Sequence, residues 1–528
     1  MNDAIQQDEL LSKKQILGAT AVVVLAILLS KVSGLVRDQV MAGYFGISYE
    51  TDAYTWAFFI PNLFKILFAE ALITAAFIPV YTSCLKSKVK TELNEFVNSV
   101  VNIMLLFFIF ISLILLIFSP QIAVILSKVA NNQIDGIQFV AMSRIMAFSV
   151  LMLSMSGLTA GILNSHNIFT LPAFAPFVLN IITVIFVITL SRSLGIISMA
   201  IGTMAGSVLQ LVLQLPQLKA ARLSYRFKIN FKNKSVRQIF ALMAPIMLSL
   251  GAVQLNNSVD KFFALNLGAG NTTALDISWR VTNLPLGVFS VAVITVLYPL
   301  ISRQAAEKDI KGIKDSFSLG VREIAYVMVP AITGLVILSY PIIKLLFERN
   351  NFTPENTATV SNILIFHSLG LVFFGLLMIL NRIYYAFRNV WTPLKVAIFS
   401  IIANALLDWL LVKYMDVAGV ALATTLVAVF NVVTLTIILR KKVGLLGGKK
   451  IAVSFAKIVL SSALMGAAIY FLWKYLEKYA YSSLTFLLII LLSVILAGAA
   501  LYIVLTYMLR MDEIKYIFGL ARKFKKKS

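Results

Sequence analysis

The chain has 528 residues, 60% of them hydrophobic and only 13% charged, with a mean hydropathy of +0.91. A soluble domain carries about a quarter charged residues, so this composition excludes a soluble fold and leaves a chain made of membrane spans. Most of the net charge of +23 lies in loops and tails beside apolar runs, which points to anionic membrane lipids and the positive-inside rule and away from nucleic acid.

Cys84 is the one cysteine, which excludes an intrachain disulfide and a Cys-based metal centre. Only His166 and His367 offer imidazole, which argues against a His-rich metal centre or a serine-type triad; both read as packing or interface residues. The first residues are polar and lean acidic (Asp3, Asp8, Glu9) before Lys13 and Lys14. No small-residue cleavage site follows the apolar run, so no cleavable signal is expected.

Hydropathy predicts an all-α membrane protein of about fourteen spans. After a cytoplasmic segment (1–15), an N-lobe (16–220) holds spans at 16–43, 52–83, 96–118, 137–164, 170–191 and 194–218. A C-lobe (221–440) holds spans at 238–266, 273–301, 323–347, 358–385, 392–413 and 417–439. Spans 13 and 14 (452–473 and 482–509) fill 441–510, and a basic tail occupies 511–528.

Several spans carry ionisable residues, each costing roughly 2.5–3.5 kcal/mol at mid-bilayer. Span 1 holds Lys31, Arg37 and Asp38, with Gly34 an expected bend point. Arg37 and Asp38 are adjacent, so they are expected to point apart and to need other partners. Span 2 has Lys65 and Glu70 after a kink at Pro61, and span 4 has Arg144, which reads as a structural or interfacial charge. Span 7 holds Asn256, Asp260 and Lys261, and span 8 holds Asp276 and Arg280. Asp408 in span 11 completes the set.

The basic members suggest a wet cationic interior. Arg offers a planar fork to phosphate oxygens and Lys a mobile point charge, so a diphosphate fits. Lys31, Arg37, Asp38, Lys65 and Arg280 form the expected substrate-binding set. The competing explanation is ion pairing within the membrane, with Asp276 and Arg280 four apart on one helix.

The acids suggest a second site. Asn404 and Asp408 share one face of span 11. Asp260 from span 7, Thr424 from span 12 and the Val420 carbonyl near Gly419 add oxygen ligands of the kind a small cation takes. A sodium ion, a proton or an interhelical salt bridge each fits this set.

Loop charge sets the orientation. Lys86, Lys88 and Lys90 follow span 2, seven basic residues from Lys219 to Arg237 follow span 6, and five from Arg303 to Arg322 follow span 8. Arg440, Lys441, Lys442, Lys449 and Lys450 follow span 12, and the tail ends in Arg522, Lys523 and Lys525–Lys527. Intervening loops carry few basic residues, so both termini are expected to be cytoplasmic. A parallel repeat is also visible. The segment Glu70–Pro79 matches Ser290–Pro299, with Asp38 41 residues before Pro79 and Asp260 39 before Pro299. Two six-helix lobes related by a pseudo-two-fold axis follow, plus two C-terminal helices, with a substrate site expected between the lobes.

The strings Ser33-Gly-Leu-Val-Arg-Asp38, Asp52-Ala-Tyr-Thr-Trp-Ala-Phe-Phe-Ile-Pro-Asn-Leu63, Phe68-Ala-Glu70 and the run from Ile162 to Asn180 resemble the MurJ (MviN) family of lipid II flippases. The resemblance spans about residues 16 to 510. It implies the fold of the multidrug/oligosaccharidyl-lipid/polysaccharide exporter superfamily. It further implies export of lipid II, the undecaprenyl-diphosphate-linked disaccharide-pentapeptide, for peptidoglycan synthesis. Arg37 and Arg280 match family cavity arginines, and Lys31 and Lys65 stand where the family often has Arg. Asp260, Asn404, Asp408, Val420 and Thr424 match a sodium site of some members, and spans 13 and 14 match a lipid-tail groove. No tightly bound cofactor beyond a sodium ion is implied, and a monomer is expected. A flippase for another polyprenyl-diphosphate-linked glycan, or a cation-coupled drug exporter, is the alternative; the basic set argues against the exporter. No long extramembrane loop or paired catalytic carboxylates suggest an enzyme.

Overall fold

The computed structural model describes residues 2–70, 77, 80, 81, 84, 90–131, 134–166, 168–221 and 224–514. Most of the first repeat motif (71–76, 78 and 79), the loop lysines Lys86 and Lys88, and the tail basics Arg522–Lys527 lie outside the described residues; the Glu70 side chain does too. Among the described residues there is no strand.

The chain divides into two compact units, Met1–Gln254 with Gly268–Thr273, and Leu255–Leu267 with Ala274–Ser528. Unit 1 contains α1 (Asn2–Phe45), α2 (Tyr49–Phe64), α3 (Lys90–Val129), α4 (Gly136–Ser165), α5 (Thr170–Leu194), α6 (Ile197–Val212) and the start of α7 (Lys234–Asn266). Ser48 opens α2 with a reciprocal cap: its hydroxyl accepts from the Thr51 amide while Thr51 Oγ1 accepts from the Ser48 amide. Asp135 caps α4 through the amides of Ile137 and Gln138. Small residues let helices touch. A Cβ on Gly206 of α6 would stand 2.7 Å from the Leu179 carbonyl oxygen of α5, so only glycine permits this approach. A core of Phe77, Tyr81, Phe96, Met104 and Phe108 holds the other side.

Unit 2 continues with α8 (Asn271–Pro285), α9 (Val291–Ala306), α10 (Ile310–Ile337), α11 (Ser339–Phe347), α12 (Pro354–Leu369), α13 (Leu371–Ala386), α14 (Trp391–Val443), α15 (Gly448–Ala480) and α16 (Leu484–Met508). Among the described residues nine helices are long and apolar enough to cross a membrane, or ten if α12 and α13, bent by 43°, form one span. A straight helix of 53 residues would be roughly 80 Å long, far beyond a bilayer core, so α14 cannot run as one rod. It breaks at Asp416 (φ 48°, ψ −140°) into two arms, where the hydropathy profile separates 392–413 from 417–439. A Cβ on Gly419 would meet the Leu411 carbonyl at 2.7 Å, so glycine is what lets the arms fold this closely.

Both units repeat one irregularity. A π-helical turn, Lys65–Glu70, follows α2 with its internal Pro61, and another, Leu286–Ser290, follows α8, which ends at Pro285. Proline lacks the amide for an i→i−4 bond, so the helix widens near it. Helices α15 and α16 pack on each other and on α10 through Met465, Ile469, Tyr502 and Tyr326. A Cβ on Gly498 would run into Ile469 Cδ1, again the close packing that small residues allow.

Candidate functional site

In unit 1 the basic residues sit on α1 and at the end of α2. The helix α1 continues through Gly34 without a break. A Cβ at this position would make ordinary contact with Asn180 Nδ2 of α5, at 3.5 Å. Asn180 donates to the Ser30 carbonyl (3.3 Å) and to Ser33 Oγ (3.1 Å), and accepts from Arg37 Nη1 (3.3 Å). Sequence reading had not placed Asn180 in the site. An amide inside an otherwise apolar span was the available signal, since such groups form interhelical hydrogen bonds.

Arg37 and Asp38 do not point apart, contrary to expectation. Arg37 Nε and Nη2 both donate to Asp38 Oδ1, at 3.2 and 2.9 Å, and the guanidinium lies 5.9 Å from the Phe58 ring centroid. Long arginine side chains can curl back to a neighbour's carboxylate even when the two Cα–Cβ vectors diverge, and burial makes the pairing worthwhile: Arg37 is 7% exposed and Asp38 2%. Lys31 is exposed, and Lys65 is half-buried at the start of the π-helical turn. Such turns often mark functional positions.

Asp52 forms a second buried anchor in unit 1. It is fully buried and accepts from the amides of Gly270 and Thr273 (2.8 Å each) and the Thr273 hydroxyl (2.8 Å). Gly270 has φ +78°, and a Cβ on it would stand 2.5 Å from the Ile47 carbonyl carbon.

In unit 2, Arg280 is half-buried on α8. Asp276, one turn earlier, is held by Lys261 of α7, whose ammonium lies 2.6 Å from both carboxylate oxygens. An interhelical pair therefore engages Asp276, the acid of the anticipated Asp276–Arg280 alternative. His367 donates to or accepts from Ser278 Oγ (2.8 Å) and meets Trp279 edge-on, while His166 Nε2 lies 2.6 Å from the Tyr81 hydroxyl; both histidines pack as expected. Arg144 is exposed and lines an apolar cleft with Lys128 and Asp135 in unit 1.

The acids do converge. Asn404 Nδ2 bridges two carboxylates, donating to Asp260 Oδ1 and to Asp408 Oδ2 (2.9 Å). Thr424 Oγ1 lies 3.0 Å from Asp260 Oδ2 and 3.1 Å from the Val420 carbonyl. The four side chains come from α7 and both arms of α14, so the break at Asp416 is what brings Thr424 to Asn404 and Asp408. Asn404 and Asp408 are fully buried. Asn404 Oδ1 and Asp408 Oδ1 have no hydrogen-bond partner, nor has Asn256 Oδ1 one turn before Asp260. Buried acceptors without donors are expensive, and a cation would satisfy them. Among the described residues no group of three or more His, Cys, Asp or Glu side chains gathers. Two carboxylates with amide, hydroxyl and carbonyl oxygens therefore suit a small, hard, singly charged ion.

A sequence profile of the family described as "Lipid II flippase MurJ" matches residues 41–507. A "Probable lipid II flippase MurJ" of Rickettsia prowazekii is 29% identical over 485 residues, 91% of this chain and 95% of that protein. A "Lipid II flippase MurJ" of Burkholderia cenocepacia is 28% identical over 424 residues, 79% of this chain and 82% of that protein. Among solved structures, "Lipid II flippase MurJ, inward closed conformation" superposes with TM-score 0.77 at 28% identity, covering 94% of this chain and all of that one. A multidrug resistance MATE family transporter in its inward-facing conformation gives TM-score 0.65 at 14% identity over 82% of this chain and 98% of that one, which shows a shared fold.

Proposed function

The chain belongs to the lipid II flippase MurJ family, and from that premise we propose that it carries lipid II from the inner to the outer leaflet of a bacterial cell membrane by alternating access. The observation that carries this reading is the family match over residues 41–507 on a chain whose apolar helices hold Arg37, Lys65 and Arg280. These three and Lys31 meet the diphosphate, and Asp38 belongs to the substrate set through its pairing with Arg37. Arg37 reaches it by exchanging Asp38 for a phosphate oxygen, so Asp38 holds the guanidinium while the substrate is away.

The isoprenoid tail stays in lipid beside α15 and α16. Both termini are cytoplasmic, the protein acts as a monomer, and anionic lipids surround its basic loops. A membrane potential that is positive outside favours an anionic head group by about 2.3 kcal/mol per charge per 100 mV. Sodium at Asp260, Asn404, Asp408, Val420 and Thr424 biases the return of the empty carrier; the orphaned oxygens of Asn404 and Asp408 support that role.

The test is accessibility of labelled lipid II at the outer leaflet of cells depleted of their own flippase and expressing this chain. Appearance of the label outside is expected. A chain that is made and inserted but leaves all label inside would exclude the reading.

A further inference from the structure

We propose that unit 2 holds a phosphate-binding pocket where α10, the end of α14 and the start of α15 meet. The turn Gly444-Leu-Leu-Gly447 joins α14 to α15, with φ +85° and +73° at its two glycines, and buried Leu446 pins it to the core. Lys314 and Ser318 of α10, one helical turn apart, lie beneath it. A Cβ on Gly444 would stand 3.3 Å from Lys314 Nζ, and one on Gly447 3.4 Å from Ser318 Oγ. A cavity of about 710 Å³ opens at this point.

Three features point to an anion with several acceptor oxygens. Lys311, Lys314, Arg440, Lys449 and Lys450 line the cavity against a single acid, Asp315. Among the described residues none of these five is ion-paired. The N-terminus of α15 also lines this cavity and has no side-chain cap; the Lys450 and Ile451 amides bond the Gly447 carbonyl, while those of Gly448 and Lys449 lack intrahelical acceptors. Finally, Ser318 Oγ lines the cavity, is 5% exposed and has no hydrogen-bond partner. A buried hydroxyl, helix amides and cations converging from three elements match a tetrahedral phosphate better than a planar carboxylate. Bound there, the phosphate ties α10, α14 and α15 together. It belongs either to a lipid head group or to soluble phosphate.

The experiment uses the full chain in vesicles of phosphatidylcholine doped with a photoactivatable phosphatidylglycerol, with crosslinks mapped by peptide. Crosslinks to the 311–318 and 444–451 peptides are expected. Lys314→Glu with Lys449→Glu should reduce them about tenfold, and the milder Ser318→Ala about threefold. Lys232→Glu with Lys441→Glu makes the same charge change outside the cavity lining and should leave them unchanged. If excess inorganic phosphate removes the crosslinks, the pocket takes soluble phosphate; if they persist, it takes the lipid. Absence of crosslinks from both peptides without any phosphate protection of Lys314 and Lys449 from acylation, or an equal drop in the control pair, would overturn the pocket.

Discussion

Arg37 and Asp38 are consecutive in the chain and hold each other, Nη2 to Oδ1 at 2.9 Å, in a setting where both are nearly buried. The Asn180 amide supports the guanidinium from α5 at 3.3 Å. Removing one partner of a buried pair leaves a stranded charge, at about 3–5 kcal/mol. Arg37→Ala should therefore lower both thermal stability in detergent and transport. Adding Asp38→Asn to it should restore most of the stability and none of the transport. If transport returned with stability, Arg37 would be a structural residue only.

Lys65 and Arg280 are both half-buried cations of the proposed substrate set. A charge-assisted hydrogen bond contributes about 1.5–3 kcal/mol, so Arg280→Ala or Lys65→Ala should each lower transport by roughly 10- to 100-fold. Lys65→Arg keeps the charge and adds a fork, so it should retain activity. The measurement is growth of flippase-depleted cells on graded expression of each variant. Full rescue by the alanine variants would remove both from the substrate set.

The Asp260–Asn404–Asp408–Thr424 cluster predicts sodium-dependent stability. An ion present at 100 times its dissociation constant stabilises by about 2.7 kcal/mol. Unfolding of the purified chain should shift upward in sodium relative to choline, and Asp408→Asn should abolish the shift. Identical unfolding in both salts would leave these residues as a hydrogen-bonded joint.

Backbone geometry makes a separate prediction at Gly270. Its positive φ and the 2.5 Å approach of a Cβ to the Ile47 carbonyl carbon mean that Gly270→Ala should destabilise unit 1 by more than about 1 kcal/mol. Gly334 on α10 has nothing within 4 Å, so Gly334→Ala should be neutral or gain up to about 1 kcal/mol. Thermal unfolding of the two variants side by side gives the comparison.

Asp52 should behave as an anchor. Asp52→Ala leaves two buried amides and a hydroxyl without their acceptor, at roughly 1–3 kcal/mol for each lost partner. Asp52→Asn keeps one acceptor oxygen and should fall between wild type and alanine in the same unfolding measurement.

Hydropathy alone determined that this chain is helical and crosses a membrane repeatedly, because apolar residues in long runs have no other environment. Spacing alone put Asn404 and Asp408 on one face, and residue type marked Arg37, Lys65 and Arg280 as costly charges needing a reason. Partner choice was decided only by the folded chain. The capture of Asp276 by Lys261 and the Asn180 amide that joins Arg37 to Ser30 and Ser33 depend on which helices lie side by side. The joining of Asp260 to Asn404 spans 144 positions, and Thr424 meets Asp260 from across the break at Asp416. Local periodicity is a property of a few consecutive residues, whereas a hydrogen bond between distant helices is set by packing, and packing is a property of the whole unit.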